Sequence, residues 1–300
     1  MNFQSSNGTA SAVQAKKRAT IITFVSQKGG TGKTTIAQNL AICLALHHGK
    51  RVLGVDLDPQ GCYIEGLTKE PVYTTKTTDC LLLVPKPNVL EYIVAVRPNL
   101  DVIPNNFQKD LRESVERMAF FPDLLMRQLS AVQTNYDYIF VDTPAGLARS
   151  TQIGIDAADE IVIVLSCGKY ALKGASAILD WVSANHSPLK PSPTIKVILN
   201  NYDERRRFDR KFKEEIQYIF GEDLYETHIH SSIRVTEATA EGVSIIEKDK
   251  SHVCTTDFKI LSHEVLGLPL DIPLAKPNAE IKAESGTAKQ NKGVLLKLVS

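Results

Sequence analysis

From about residue 20 onward the apolar residues of this chain follow two alternating patterns. Short, nearly unbroken apolar runs at Thr20–Ser26, Arg51–Asp56, Leu100–Ile103, Tyr138–Val141, Glu160–Leu165, Thr194–Leu199 and Leu224–Ile229 predict strands. Between them, apolar positions recur at helical spacing. Lys33–His48 carries Ile36, Leu40 and Leu44 on one face and stops at Gly49, a residue that readily ends a helix. Asp123–Val132, Ala171–Ala184 and Phe208–Phe220 read the same way. Strands that lack polar alternation are buried on both faces, and strands alternating with helices give parallel sheets. The predicted fold is therefore α/β, a doubly wound and mostly parallel sheet in a single domain over residues 19–269. The flanks, 1–18 and 270–300, are rich in Ser, Ala, Pro, Lys and Gln and read as flexible tails.

Composition narrows the function classes. The formal net charge is only +1, so binding to nucleic acid would have to come from a local patch. Five cysteines (Cys43, Cys62, Cys80, Cys167, Cys254) lie far apart, and no pair has Cys-x-x-Cys spacing. That excludes the usual zinc, iron–sulfur and disulfide frameworks and suits a reducing cytosol. The basic residues Lys16, Lys17 and Arg18 precede an apolar run, Ile21–Val25, too short for a signal peptide. No window approaches the ~18–20 apolar residues that span a bilayer. A cytoplasmic location is expected.

The strongest chemical signal is Gly29-Gly30-Thr31-Gly32-Lys33-Thr34-Thr35, placed between a predicted strand and a predicted helix, which is the context of a P-loop. The glycines let successive backbone N–H groups turn toward a phosphate. Lys33 supplies a cation to the β- and γ-phosphates, the Thr34 hydroxyl is a Mg²⁺ ligand, and the following helix points its positive end at the same anion. Val55-Asp56-Leu57-Asp58-Pro59-Gln60-Gly61 follows the second strand. Its two carboxylates, two residues apart at a strand end, are read as sharing one side, Asp58 to orient an attacking water and Asp56 to support the Mg²⁺ shell. Asp142 ends the apolar strand Tyr138–Val141 and is the candidate Walker B carboxylate, holding Mg²⁺ through water, with Thr143–Gly146 as the turn that senses the γ-phosphate.

Lys28, immediately before the glycines, makes the loop resemble the deviant Walker A motif of the ParA/MinD family. Val55-Asp56-Leu57-Asp58-Pro59-Gln60-Gly61 resembles the ParA switch I segment, Asn200 after Val197-Ile198-Leu199 looks like the adenine contact, and Ile229-His230-Ser231-Ser232-Ile233-Arg234-Val235-Thr236-Glu237-Ala238 resembles the ParA stretch with an "S-V-R-L-S-E-A" pattern. The matches span about residues 20–250 in family order. The resemblance implies an ATPase using ATP and Mg²⁺, with Lys28 reaching the partner's phosphates in an ATP-dependent homodimer. It also implies non-specific DNA binding at the nucleoid and stimulation by a ParB-like partner or adaptor. Two departures are visible. Val164 stands where ParA proteins usually carry proline, and Gly168 where a glutamate normally helps hold the signature lysine. No helix-turn-helix extension precedes the loop, so operator-specific autorepression is not expected.

Glu204–Glu215 holds six basic and four acidic residues. Phe208, Phe212, Ile216, Ile219 and Phe220 form an apolar stripe at helical spacing, which leaves Arg206, Arg210 and Lys213 outward. With Arg234 they are the candidate DNA contacts, against the plainer reading of a solvated helix face. Arg234 could instead bridge Glu237. A MinD-like membrane ATPase is the main alternative, through the weakly amphipathic stretch Lys292–Val299, which has no aromatic anchor. A ParA-like positioner of a protein cargo is a second alternative, and an inactive nucleotide-binding scaffold a third, against which Lys33, Asp58 and Asp142 together argue.

Overall fold

The computed structural model describes residues 17–106, 108–185 and 191–269. The expected tails fall almost wholly outside the described residues, and so does Lys292–Val299. The strands are β1 Thr20–Val25, β2 Val52–Asp56, β3 Val94–Arg97, β4 Leu100–Ile103, β5 Tyr138–Asp142, β6 Glu160–Ser166, β7 Thr194–Tyr202 and β8 Leu224–His230. The helices are α1 Lys33–His48, α2 Cys62–Glu65, α3 Thr78–Leu83, α4 Lys109–Arg117, α5 Leu124–Leu129, α6 Arg149–Ala157, α7 Ala171–Asn185, α8 Arg207–Phe220, α9 Ile233–Ala240, α10 Ile245–Lys248 and α11 Val253–Leu266.

The eight strands form one sheet in the order β3-β4-β2-β5-β1-β6-β7-β8. Every pairing is parallel except β3 with β4. Alternation along β1 shows why both faces are covered. Ile22 and Phe24 enter the core shared with α1 and α11, whereas Ile21 and Val25 face the opposite helices. Gly49 ends α1 in a left-handed conformation, with its N–H bonded to Leu44 O, as the sequence suggests.

Two differences have local causes. The antiparallel edge strand β3 is absent from the sequence reading because it is only four residues long and is joined to β4 through Pro98 and a left-handed Asn99 (φ +62°). The helix expected over Asp123–Val132 is observed as the shorter α5, and it starts one residue late because Asp123 itself adopts φ +62° and cannot be helical. The four strands β2, β5, β1 and β6 bring their C-terminal ends to the crevice at the centre of the sheet, where open α/β sheets bind ligands.

Candidate nucleotide site

Between β1 and α1, Gly30 (φ +75°) and Gly32 (φ +86°) both occupy left-handed backbone. A Cβ on Gly29 or Gly30 would meet nothing within 4 Å, so the loop encloses a cradle open to a ligand. At Gly32 the opposite holds, because a Cβ there would run into the amide nitrogen of Asn200. That amide donates to Thr31 O at 2.7 Å and holds the loop against the end of β7. Sequence reasoning gave Asn200 a base contact. Here its side-chain donor serves the loop backbone, and the residue is buried. Ser26 further fixes the loop entry by donating to Lys28 O at 2.9 Å.

Lys33 is the first residue of α1 and is buried. Thr34 donates its hydroxyl to Asp142 Oδ2 at 2.6 Å, and Asp142 Oδ1 has no hydrogen-bond partner among the described residues. Parallel pairing sets Asp56 beside Asp142 at the ends of β2 and β5. Both carboxylates are fully buried. Burial pushes the Asp142 carboxyl up to about 7, opposed by the Lys33 cation and the Thr34 hydrogen bond. Asp56 is driven well above the usual carboxylate range by burial first and by Asp142 second. Both shifts show that burial without a counter-cation disfavours two adjacent carboxylate charges, which a cation bound between them would restore. A divalent cation fits there, with Thr34 Oγ1 and Asp142 as the residues that would hold it and Asp56 behind them.

The two carboxylates of switch I do not share a strand face. Strand β2 ends at Asp56, and Asp58 lies in the turn beyond it, half-buried. Asp56 Oδ1 accepts from Asp58 N at 2.9 Å and Oδ2 accepts from Tyr63 N at 3.1 Å, so Asp56 shapes the turn that carries Asp58. Asp58 Oδ1 in turn accepts from Gln60 N at 3.0 Å. Gln38, on α1, donates to Cys62 O and Tyr63 O at 2.9 and 2.8 Å and ties α2 to the helix that follows the phosphate loop. Neither Tyr63 nor Gln38 was legible as part of the site, because their roles run through backbone atoms. Thr143 turns its hydroxyl back to Phe24 O at 2.8 Å, while Gly146 N bonds Ser26 O at 2.9 Å and sets the Thr143–Gly146 turn beside the loop entry.

Lys28 is exposed at the rim of a cavity of about 470 Å³ that is shared with Gly168, Lys169, Tyr170 and Lys173. Among the described residues no carboxylate lines it, and a Cβ on Gly168 would meet only Ser166 O, at 3.8 Å. The position of the missing glutamate therefore opens on the cavity that Lys28 borders.

The basic patch differs from expectation. Lys213 is half-buried, with Nζ 3.0 Å from His228 Nδ1 and 5.3 Å from the centre of the Tyr202 ring, so it does not project from α8. Burial lowers its pKa. Phe208, placed in the buried stripe by its spacing, is exposed, and Asp209 takes the inward position instead, accepting from Asp203 N at 3.0 Å. Arg206 and Arg210 are exposed as expected. Arg234 pairs with Asp249 at 2.7 Å rather than with Glu237.

Residues 19–195 match the sequence family described as an AAA domain (AAA_31). The sporulation initiation inhibitor protein Soj of Bacillus subtilis is 37% identical over 238 residues, covering 76% of this chain and 91% of that protein. The chromosome-partitioning ATPase Soj of Treponema pallidum is 31% identical over 251 residues, covering 82% and 96%. Among solved structures, the septum site-determining protein MinD of Pyrococcus horikoshii, complexed with Mg-ADP, superposes with a TM-score of 0.69 at 23% identity over 82% of this chain and 96% of that one. Family match, the order of the motifs and the phosphate loop at the head of α1 agree: the chain belongs to the ParA/MinD family of P-loop partition ATPases.

Proposed function

We propose that the protein is a Mg²⁺-dependent ATPase that dimerises on binding ATP, binds DNA non-specifically in that state, and drives DNA segregation with a ParB-like partner. The observation that carries the nucleotide reading is the bond from the Thr34 hydroxyl to buried Asp142, whose second oxygen is bare, beside Lys33 and an open glycine cradle. In this reading the loop N–H groups and Lys33 bind the phosphates, and Asn200 lies near the base. Mg²⁺ held by Thr34 and Asp142 would neutralise charge on the transferred phosphoryl group. Asp58, presented by the turn that Asp56 organises, orients the attacking water. Lys28 adds its charge only when a second subunit closes, since Lys33 already serves the site from within its own chain.

For DNA, the exposed arginines Arg205, Arg206, Arg207 and Arg210 are the contacts proposed, with Arg234 beside them. Ser231 N bonds Tyr202 O at 2.8 Å, which holds the ends of β7 and β8 together and sets the segments leading into α8 and α9 side by side. Nucleoid association follows from such binding. The relatives named as partition proteins favour DNA as the cargo. Calorimetry and turnover of two variants test the site. Lys33→Ala should lose ATP binding, whereas Asp58→Ala should bind ATP and accumulate as a dimer without hydrolysing it. Parental nucleotide affinity in Lys33→Ala would overturn the assignment.

A further inference from the structure

One aromatic side chain in the basic patch stands outside the core. Phe208 is 56% exposed in the first turn of α8, among the exposed cations Arg205, Arg206, Arg207, Arg210 and Lys211. Its ring lies 6.3 Å from that of buried Phe212 with the planes 16° apart. The two rings thus lie nearly parallel while Phe208 stays largely in solvent. On the adjoining segment Ile233, next to Arg234, is 75% exposed. This face thus sets apolar side chains among guanidinium groups. The combination suits a partner that offers anionic groups outside and flat apolar surface within reach, which is the layout of a nucleic acid. An anionic membrane also combines charge with apolar depth. Two isolated side chains, however, are far less than the continuous apolar face an interfacial helix buries.

We propose that Phe208 is a nucleobase-contacting residue. It packs against or between base steps while the surrounding arginines hold the phosphates, and part of the DNA affinity therefore does not come from counterion release. This rests on the DNA-binding reading above and names a contact within it. The test uses the full chain with a non-hydrolysable ATP analogue and two labelled probes, a duplex of arbitrary sequence and an oligothymidylate. Phe208→Ala should weaken binding to at least one probe about five- to a hundredfold, as loss of one stacked aromatic does. The slope of log affinity against log salt should stay unchanged. Arg206→Ala should instead lower that slope by about one. Phe208→Trp should keep the affinity, with indole emission quenched on adding DNA. Because the side chain is exposed, thermal melting of Phe208→Ala should match the parent. Parental affinity of Phe208→Ala for both probes, with the parent itself binding DNA, overturns this inference alone. A parent that binds neither probe overturns the DNA reading and this inference with it. Loss of phosphatidylglycerol-vesicle binding by Phe208→Ala, with both DNA affinities intact, assigns the residue to a membrane and also overturns the proposal.

Discussion

At Gly32 two requirements meet on one atom position. The backbone stands at φ +86°, where side chains are strained, and the space a Cβ would fill belongs to the Asn200 amide that holds the loop. Gly32→Ala should therefore displace Asn200 and lower ATP affinity at least about tenfold, beyond the ~1 kcal/mol cost of strained backbone alone. Calorimetric titration checks this, and unchanged affinity would mean that the cradle tolerates rearrangement. The glycines were legible in the sequence because phosphate binding imposes them within one short stretch. Their brace was not, since Asn200 lies far along the chain and acts through a backbone oxygen. His228 gives a second test at this scale. Burial lowers its pKa from the ordinary 6.5 to about 3, with the Lys213 cation adding to the effect. Below 6.5 the unfolded chain takes up a proton that the folded chain refuses, so stability is full above that pH and is lost as pH falls toward 3. His228→Gln should remove about 2 kcal/mol of that loss at a pH of about 5 and leave the difference from the parent constant above about 7.5. Urea unfolding of both proteins at the two pH values measures it, and parallel profiles would contradict the buried, neutral imidazole.

Among the elements, the parallel strands and α1 were readable because continuous apolar runs and helical spacing are local patterns. The edge of the sheet was not. Arg97, at the end of β3, donates to Leu67 O at 2.6 Å and Gly242 O at 3.2 Å, and its Nε lies 3.1 Å from Glu247 Oε1. It thus fastens the segment behind α2 to the α9–α10 connection, and nothing in the residues around Arg97 announces those distant partners. Removing it leaves two carbonyls without that donor and takes one partner from the exposed Glu247 carboxylate, which keeps its bonds from Ser244. Arg97→Ala should cost about 1–3 kcal/mol. Arg97→Lys should recover only part of this, since an ammonium group cannot reproduce the fork of bonds. Denaturant midpoints decide, and a loss within about 0.5 kcal/mol for Arg97→Ala would show the fastening to be dispensable. The misplaced Phe208 and Lys213 teach a related lesson. Helical spacing placed Phe212, Ile216 and Phe220 correctly on the inner face of α8, but in the first turn the inward position goes to Asp209 through its bond from Asp203 N, which no periodicity reveals.

For the whole molecule, a formal charge of +1 makes the location of the cations matter more than their number. Exposed arginines gather at the segments that follow β7 and β8, at the same C-terminal end of the parallel strands as the phosphate loop, where closing two subunits would double the basic surface offered to a duplex. Among the described residues no helix is long and apolar enough to cross a membrane. Nucleotide-gated DNA binding is thus the central claim, and one titration tests it most directly. Anisotropy of a labelled duplex of arbitrary sequence should be followed with Mg²⁺ and either a non-hydrolysable ATP analogue or ADP, over a range of salt. The account predicts tight binding with the analogue, at least tenfold weaker binding with ADP, and a steep fall with salt as several phosphate contacts require. Equal affinity in the two nucleotide states, or binding indifferent to salt, would contradict it.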